Sequence, residues 1–399
     1  MTQHLIAGAR PWGGEVCDVL VRDGVIAARG MHLQAAPDAH RIDGAGCLLL
    51  PGLVDAHTHL DKTLIGTPWH AHRAGPNLID KITNERKVMA ELGLDPALQS
   101  ARMARHMLSR GTTAIRSHVD IGPENRLEAF HGVAATRQAD ADLVTIQIVA
   151  FPQTGMLIQP GVTELMEEAV KEGADAVGGL DPIGIDRDPK GQLDAIFAIA
   201  GRHGCEVDIH LHDMGELGAI TVEMMAERTL ALGLQGKVTV SHGYFLGEIG
   251  HGRLKGLIEK LVAADIAVMT AGCPGRWPIP PITKLVDAGV RMFAGSDGVR
   301  DSWGPLNNGD MLERAYQLAW QSDYDRDPAI ETCLSLATYG GAQAMGLKGY
   351  GLDVGCRADL VLVQGETAAE AVCYHSPRRL VMSGGRIMVE DGKLLLDMP

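Results

Sequence analysis

The stretch Pro51-Gly52-Leu53-Val54-Asp55-Ala56-His57-Thr58-His59 decides the fold. A short apolar run ends in His-x-His. If the run is a strand, its period of two puts His57 and His59 on the same side. Two imidazoles on one face begin a site for a divalent ion. Working outward, the same kind of run recurs seven more times: Ala114 to His118, Val144 to Ala150, Ala176 to Leu180, Val207 to His210, Val238 to His242, Ala267 to Thr270 and Val290 to Ala294. Helical patterns separate many of them, at Pro96 to Ser109, Val162 to Glu172, Gln192 to Arg202, Ile220 to Leu232 and Leu254 to Ala264. Eight strand–helix units predict an α/β protein built on a (β/α)8 TIM barrel. Two further helices, over Thr83 to Leu92 and Met311 to Gln321, read as elaborations of that barrel.

The ends differ in style. Residues 1–50 hold strand-like pieces at Val16 to Val21, Gly24 to Arg29 and Gly46 to Leu50, separated by Gly and Asp turns. Residues 346–399 repeat the pattern at Ala358 to Val363, Leu380 to Ser383 and Gly385 to Val389, with a turn at Asp391-Gly392. Neither piece has enough strands to stand alone. Together they predict one small β-sandwich domain assembled from both termini, packed beside a barrel over residues 51–345.

Composition agrees with this division and excludes other classes. The 399 residues include 49 Gly, while Trp, Tyr and Phe number only 5, 6 and 5. That suits many tight strand–helix joints and a core of Val, Ile, Leu and Ala. A net charge of −14 argues against a nucleic-acid backbone as partner. The seven cysteines (17, 47, 205, 273, 333, 356 and 373) are scattered without C-x-x-C spacing, so neither a disulfide scaffold nor a cysteine zinc site is expected. The opening residues do not read as a signal peptide, and no apolar run nears the ~20 residues of a membrane span. The expectation is a cytoplasmic protein, without a membrane partner and open to self-association.

The ends of the later strands carry the chemistry. The fifth ends in His210, the sixth in Ser241-His242, and the eighth in Ser296-Asp297. At the C-terminal face of a barrel these join His57 and His59. Such polar groups are costly in a dry core and useful around a metal.

With these residues in view, the chain resembles the amidohydrolase superfamily, and within it the cytosine deaminase-like members. The resemblance is carried by Asp55 to Lys62, Arg116 to Asp120, Gln147 to Gln153, Ser241-His242 and Ser296 to Trp303. It implies that His57, His59, His210 and Asp297 ligate a metal, Zn2+ or Fe2+. Binuclear members bridge two ions with a lysine at the fourth strand. Here that strand reads Ala176-Val177-Gly178-Gly179-Leu180, so one ion per chain is expected. The ion lowers the pKa of its water towards ~7, and Asp297 holds that water and takes its proton. The resemblance makes His242 the residue that orients the water, and gives Gln153 the edge of a pyrimidine-like ring. Trp303 is a candidate to cover a flat heterocycle. His118 and Asp120 are candidates to support the ligands, and Arg300 and Asp301 to pair in a loop.

Two departures qualify the match. Cytosine deaminases carry His-x-x-Glu after the fifth strand, the glutamate acting as proton shuttle. This chain reads His210-Leu211-His212-Asp213, leaving Asp213 and His212 as candidate acid–base groups, with Glu216 a poorer third. The His-Leu-His form is similar to a branch that strips alkylamines from triazine rings. Gly298 stands where cytosine deaminase has another acid. The expected activity is hydrolytic deamination of a cytosine-like or related nitrogen heterocycle with release of ammonia. The alternatives are hydrolysis of an N-alkylaminotriazine and opening of a cyclic amide.

Overall fold

A computed structural model describes residues 3–272 and 277–399; Cys273 lies outside the described residues. Each of the eight apolar runs forms a strand: β1 (Leu53–Thr58), β2 (Thr112–Asp120), β3 (Thr145–Phe151), β4 (Ala176–Leu180), β5 (Glu206–Leu211), β6 (Val238–His242), β7 (Ile266–Thr270) and β8 (Met292–Ala294). They pair in chain order and all in parallel. The end of β8 returns to β1, where Asp297 N donates to His57 O at 2.9 Å and Thr58 bridges to Asp297. That contact closes the barrel and depends on Gly295. A Cβ at Gly295 would sit 2.5 Å from His57 Cβ and from His57 O.

Amphipathic helices cover the outside. Pro96–Ser109 begins with Pro at its first turn and Asp95 as cap, whose carboxylate accepts from Ala97 N at 2.9 Å. Val162–Lys171, Pro189–His203, Gly215–Leu232 and His251–Ala263 follow successive strands. Met311–Gln321 starts at Asp310, whose side chain accepts from the amides of Leu312 and Glu313. The inserted helix runs Leu78–Leu92, longer than Thr83 to Leu92, because Asn77 and Asp80 form a capping box one turn earlier.

Among the described residues, nine strands from the two ends form a separate sheet. The central strand is Gln3–Pro11, a run for which the sequence suggests no strand. It pairs on one side with Cys17–Arg22 and on the other with His40–Asp43 and Leu48–Pro51. Leu48–Pro51 in turn pairs with Leu360–Val363, joining the two termini. The sandwich is therefore one sheet folded over. Its register shifts between Ile6 and Ala9, and the two arms enclose one apolar cluster that includes Ile6, Val19 and Ile26 from one arm and Leu49, Leu360 and Met382 from the other. Only Gly52 separates this sheet from β1, so the small domain holds the base of the first barrel strand. No helix among the described residues is long and apolar enough to cross a membrane.

Candidate active site

The site is built by alternation. Asp55, His57 and His59 on and just past β1 face the barrel interior together, as do Asp208, His210 and His212 on and just past β5. With Asp297 after β8, the ligating atoms of His57, His59 and His210 lie within 4.8 Å of one another. His59 Nε2 is 3.2 Å and His57 Nε2 3.7 Å from Asp297 Oδ1. His57 Nε2 and both ring nitrogens of His210 are buried without a hydrogen-bond partner. Unpartnered imidazole nitrogens converging on a carboxylate are costly unless something else binds them. Three histidines and an aspartate fit a single divalent cation.

The tautomers of two ligands follow from their neighbours. Ser241 Oγ donates its one hydrogen to Asp208 Oδ1 at 2.5 Å. It can therefore only accept from His57 Nδ1 at 3.0 Å, which leaves His57 Nε2 as a free lone pair towards the cluster. His59 Nδ1 donates to His118 O at 3.1 Å, with the same result. Burial, reinforced by the charge of Lys62, lowers the His59 pKa to about 3, so the ring is neutral and competent to ligate. His118 packs 4.0 Å from the His57 ring and places Nε2 3.6 Å from Asp208, beneath the cluster. Asp297 (φ +61°) and His242 (φ +72°) both occupy the left-handed region, the kind of backbone strain that gathers at functional sites.

His242 and His212 stand side by side, ring centroids 4.4 Å apart, and both line one cavity of about 470 Å³ at the barrel mouth. His242 Nδ1 meets Tyr244 Oη at 3.3 Å. His212 is held by Asp181, which accepts from its Nδ1 at 2.9 Å and from its backbone amide at 2.5 Å. The structure places Asp213 differently from His212. Its carboxylate accepts from the amides of Ile183 and Gly184 at 3.1 and 3.3 Å, serving a loop, and it does not line the cavity. Glu216 is further away still, paired at the surface with Arg253 at 3.0 Å.

The opposite wall is a closed polar network. Lys62 donates to Gln153 Oε1, and Gln153 Nε2 donates to Glu85 Oε1 at 2.6 Å. The amide orientation is decided by its partners, since a lysine only donates and a carboxylate only accepts. Trp303 Nε1 donates to the other Glu85 oxygen, and Lys62 Nζ stands 5.9 Å from the centre of the Trp303 ring. Gln153 and Trp303 thus reach the same cavity, but the amide is already engaged at both ends, so it presents there only the N–H and lone pair that remain. Burial is the largest single influence on Lys62 and lowers its pKa, but the acidic neighbours Glu85, Asp61, Asp120 and Asp301 together overcome it and raise the pKa. Gly298 has a local reason. A Cβ there would sit 1.7 Å from Asp301 Oδ2, so the carboxylate of Asp301 fills the space that a side chain at 298 would take. Arg300 does not pair with Asp301; it donates to Thr67 O at 2.7 Å.

Sequence reasoning passed over Glu85, Asp181 and Asp208. The last was available, because Asp208 lies two residues before His210 on the same strand and shares its face. Glu85 and Asp181 come from an inserted helix and a loop, and nothing in their local sequence marks them.

Comparison with known proteins agrees with this geometry. The amidohydrolase family profile matches residues 97–389. The structure of N-isopropylammelide isopropylaminohydrolase from Burkholderia multivorans superposes with a TM-score of 0.95 and 42% identity, covering 99% of this chain and 100% of that one. The 5-methylcytosine deaminase of Klebsiella pneumoniae gives a TM-score of 0.86 at 26% identity, covering 99% of both chains. N-isopropylammelide isopropyl amidohydrolase of Pseudomonas sp. (strain ADP) is 29% identical over 358 residues, 88% of each chain. The chain belongs to the amidohydrolase family, as a hydrolase acting on C–N bonds.

Proposed function

We propose that the protein hydrolyses the exocyclic C–N bond of an N-alkylamino, oxo-substituted triazine of the N-isopropylammelide type. Water adds to the ring carbon, the C–N bond breaks, and the products are the alkylamine and the oxo ring. The observation that carries this reading is His212. It occupies the cavity, fixed by Asp181, while the residue in the glutamate position of cytosine deaminases, Asp213, is turned into a loop. The relative at 42% identity is named for this substrate, which weighs in the same direction. Release of ammonia from a cytosine-like ring is the weaker alternative for that reason.

His57, His59, His210 and Asp297 would hold one divalent ion, Zn2+ or Fe2+, which when bound would lower the pKa of a reacting water. Asp297 would accept a proton from the attacking water, and His242 would orient that water from the side. His212 keeps its Nδ1–H on Asp181, donates a second proton from Nε2 to the departing nitrogen, and is reprotonated by the proton that the attacking water gives up. Lys62 and Gln153 hold the ring edge, and Trp303 covers its face. A cyclic-amide hydrolase fits less well, because β4 carries no lysine to bridge a second ion.

The test is a product assay on protein loaded with Zn2+ or Fe2+. N-isopropylammelide and cytosine are supplied separately, and isopropylamine and ammonia are quantified by chromatography. The expected result is isopropylamine from the first and little ammonia from the second. Ammonia from cytosine without any alkylamine release would overturn the proposal.

A further inference from the structure

The cavity, about 470 Å³, has unlike walls. One wall is the Lys62–Gln153–Glu85 network. The other is aromatic and open: Trp277 and Trp320 line it with Leu306, and they are 38%, 74% and 74% exposed. Exposed large apolar groups gathered at one rim commonly mark a binding surface. Here they are also connected to the chemistry. His212 is 5.9 Å from the Tyr244 ring, and Tyr244 stacks on Trp277 at 5.6 Å with planes 16° apart. On the far side Tyr316 stacks on Trp320 at 6.0 Å. Tyr244 is itself buried behind Trp277, so the rings presented to the cavity beyond His212 are those of Trp277, Tyr316 and Trp320. A ring held at Lys62 and Gln153 directs any substituent on the departing nitrogen along them.

We infer that this rim is a subsite for the N-substituent of the departing amine, and that it favours bulky apolar groups, arylalkyl above short alkyl. The inference rests on the proposed function for the identity of the departing group. A benzyl group laid against the exposed indoles removes apolar area from water. A methyl group has little area to bury there. The side chains of Trp320 and Leu306 are three-quarters exposed, so trimming them leaves the core untouched.

The experiment measures KM and kcat for N-methyl-, N-isopropyl- and N-benzyl-substituted ammelides with the parent protein, Trp320→Ala and Leu306→Ala. The parent should show a KM for the N-benzyl compound about 10-fold below that for N-methyl, a discrimination of the size apolar pockets achieve. In Trp320→Ala the ratio should collapse towards one, with kcat following less. A KM independent of the substituent, or a Trp320→Ala change shared equally by all three substrates, would overturn the inference while leaving alkylamine hydrolysis intact. If no amine is released from any of them, the proposed function fails. Quenching of indole fluorescence by the N-benzyl compound then decides the subsite separately, and absence of quenching overturns it. Light scattering closes the remaining route. If a second copy of the chain covers Trp320, and acrylamide cannot reach its indole in the assembled form, the rim is an interface and the inference is wrong.

Discussion

Two buried polar clusters face each other across the barrel mouth, and they are finished in opposite ways. Around Lys62 the network closes on itself: lysine to amide, amide to carboxylate, indole to the same carboxylate. Around His57 it stops short: His57 Nε2, both nitrogens of His210 and His242 Nε2 have no hydrogen-bond partner. Burial makes unsatisfied polar atoms expensive. The closed cluster is a wall already shaped before substrate arrives, whereas the open one is held in place by its surroundings and waits for an ion. The same fold thus supplies a rigid support and a receptive centre a few ångströms apart.

The sharpest way to break the contrast is to remove one partner from each side. His210→Ala takes a ligand from the open cluster. The expected outcome is loss of bound metal by elemental analysis and at least a ~10³-fold fall in kcat/KM, with the fold retained by circular dichroism. Glu85→Ala breaks the closed cluster and strands a buried lysine charge, since Lys62 and Glu85 are each 4% exposed. Stability should fall by about 3–5 kcal/mol in denaturant unfolding. Metal content should hold, because Glu85 touches no ligand. If Glu85→Ala lost metal instead, the two clusters would be one unit and the comparison would be wrong.

Asp301 offers a milder test of the closed side. Burial chiefly, with the charge of Glu85 added, raises its pKa from 3.8 to about 7. The folded chain therefore keeps a proton that the unfolded chain gives up. That contribution is complete below about pH 4 and is lost as pH climbs through 7. A gap of that size is worth a few kcal/mol at most. Urea unfolding at several pH values between 4.5 and 7.5 should show stability declining with pH in the parent, and a flatter profile in Asp301→Asn. Parallel profiles would remove Asp301 as the source.

How much of this was legible in the sequence depended on whether the information was local. All eight barrel strands could be placed because each is a short apolar run bounded by polar joints, and the helix Pro96–Ser109 because its cap and proline announce it. The helices Glu128–Ala139 and Asp327–Ser335 were not placed. The first has little apolar asymmetry, its buried face made of Ala129, Phe130, Val133 and the polar Thr136, and tertiary packing against Pro96–Ser109 decides it. The strand Gln3–Pro11 was missed because its Gly8 and bulge interrupt the alternation. In the site, His57, His59, His210, His242 and Asp297 were readable from strand ends. Asp213 and His212 were not separable, since sequence places both near β5 and only the turn at Asp181, with φ +33°, decides which one enters the cavity. Glu85 was illegible for a related reason: its partners Lys62, Gln153 and Trp303 come from three other segments.

The smallest expected effect tests what holds the open cluster open. Ser241 is a single hydroxyl between a ligand and a buried carboxylate, Asp208, which Arg116 also approaches at 3.7 Å. Because Ser241 gives its hydrogen to Asp208, His57 must keep its own on Nδ1, and Nε2 stays available. Ser241→Ala removes that constraint and lets the ring rotate or exchange tautomers, leaving Asp208 with one donor fewer. Supporting hydrogen bonds of this kind are worth about 10–100-fold in metal affinity. Competition against a chelator should show that loss for Ser241→Ala, and the absorption bands of the Co2+-loaded protein should broaden or shift as the ligand reorients. Ser241→Thr keeps the hydroxyl and should recover both. If Ser241→Ala bound metal as tightly as the parent, the orientation of His57 would come from packing alone, from the His118 ring at 4.0 Å and the closure at Gly295, and the hydrogen-bond chain would be incidental.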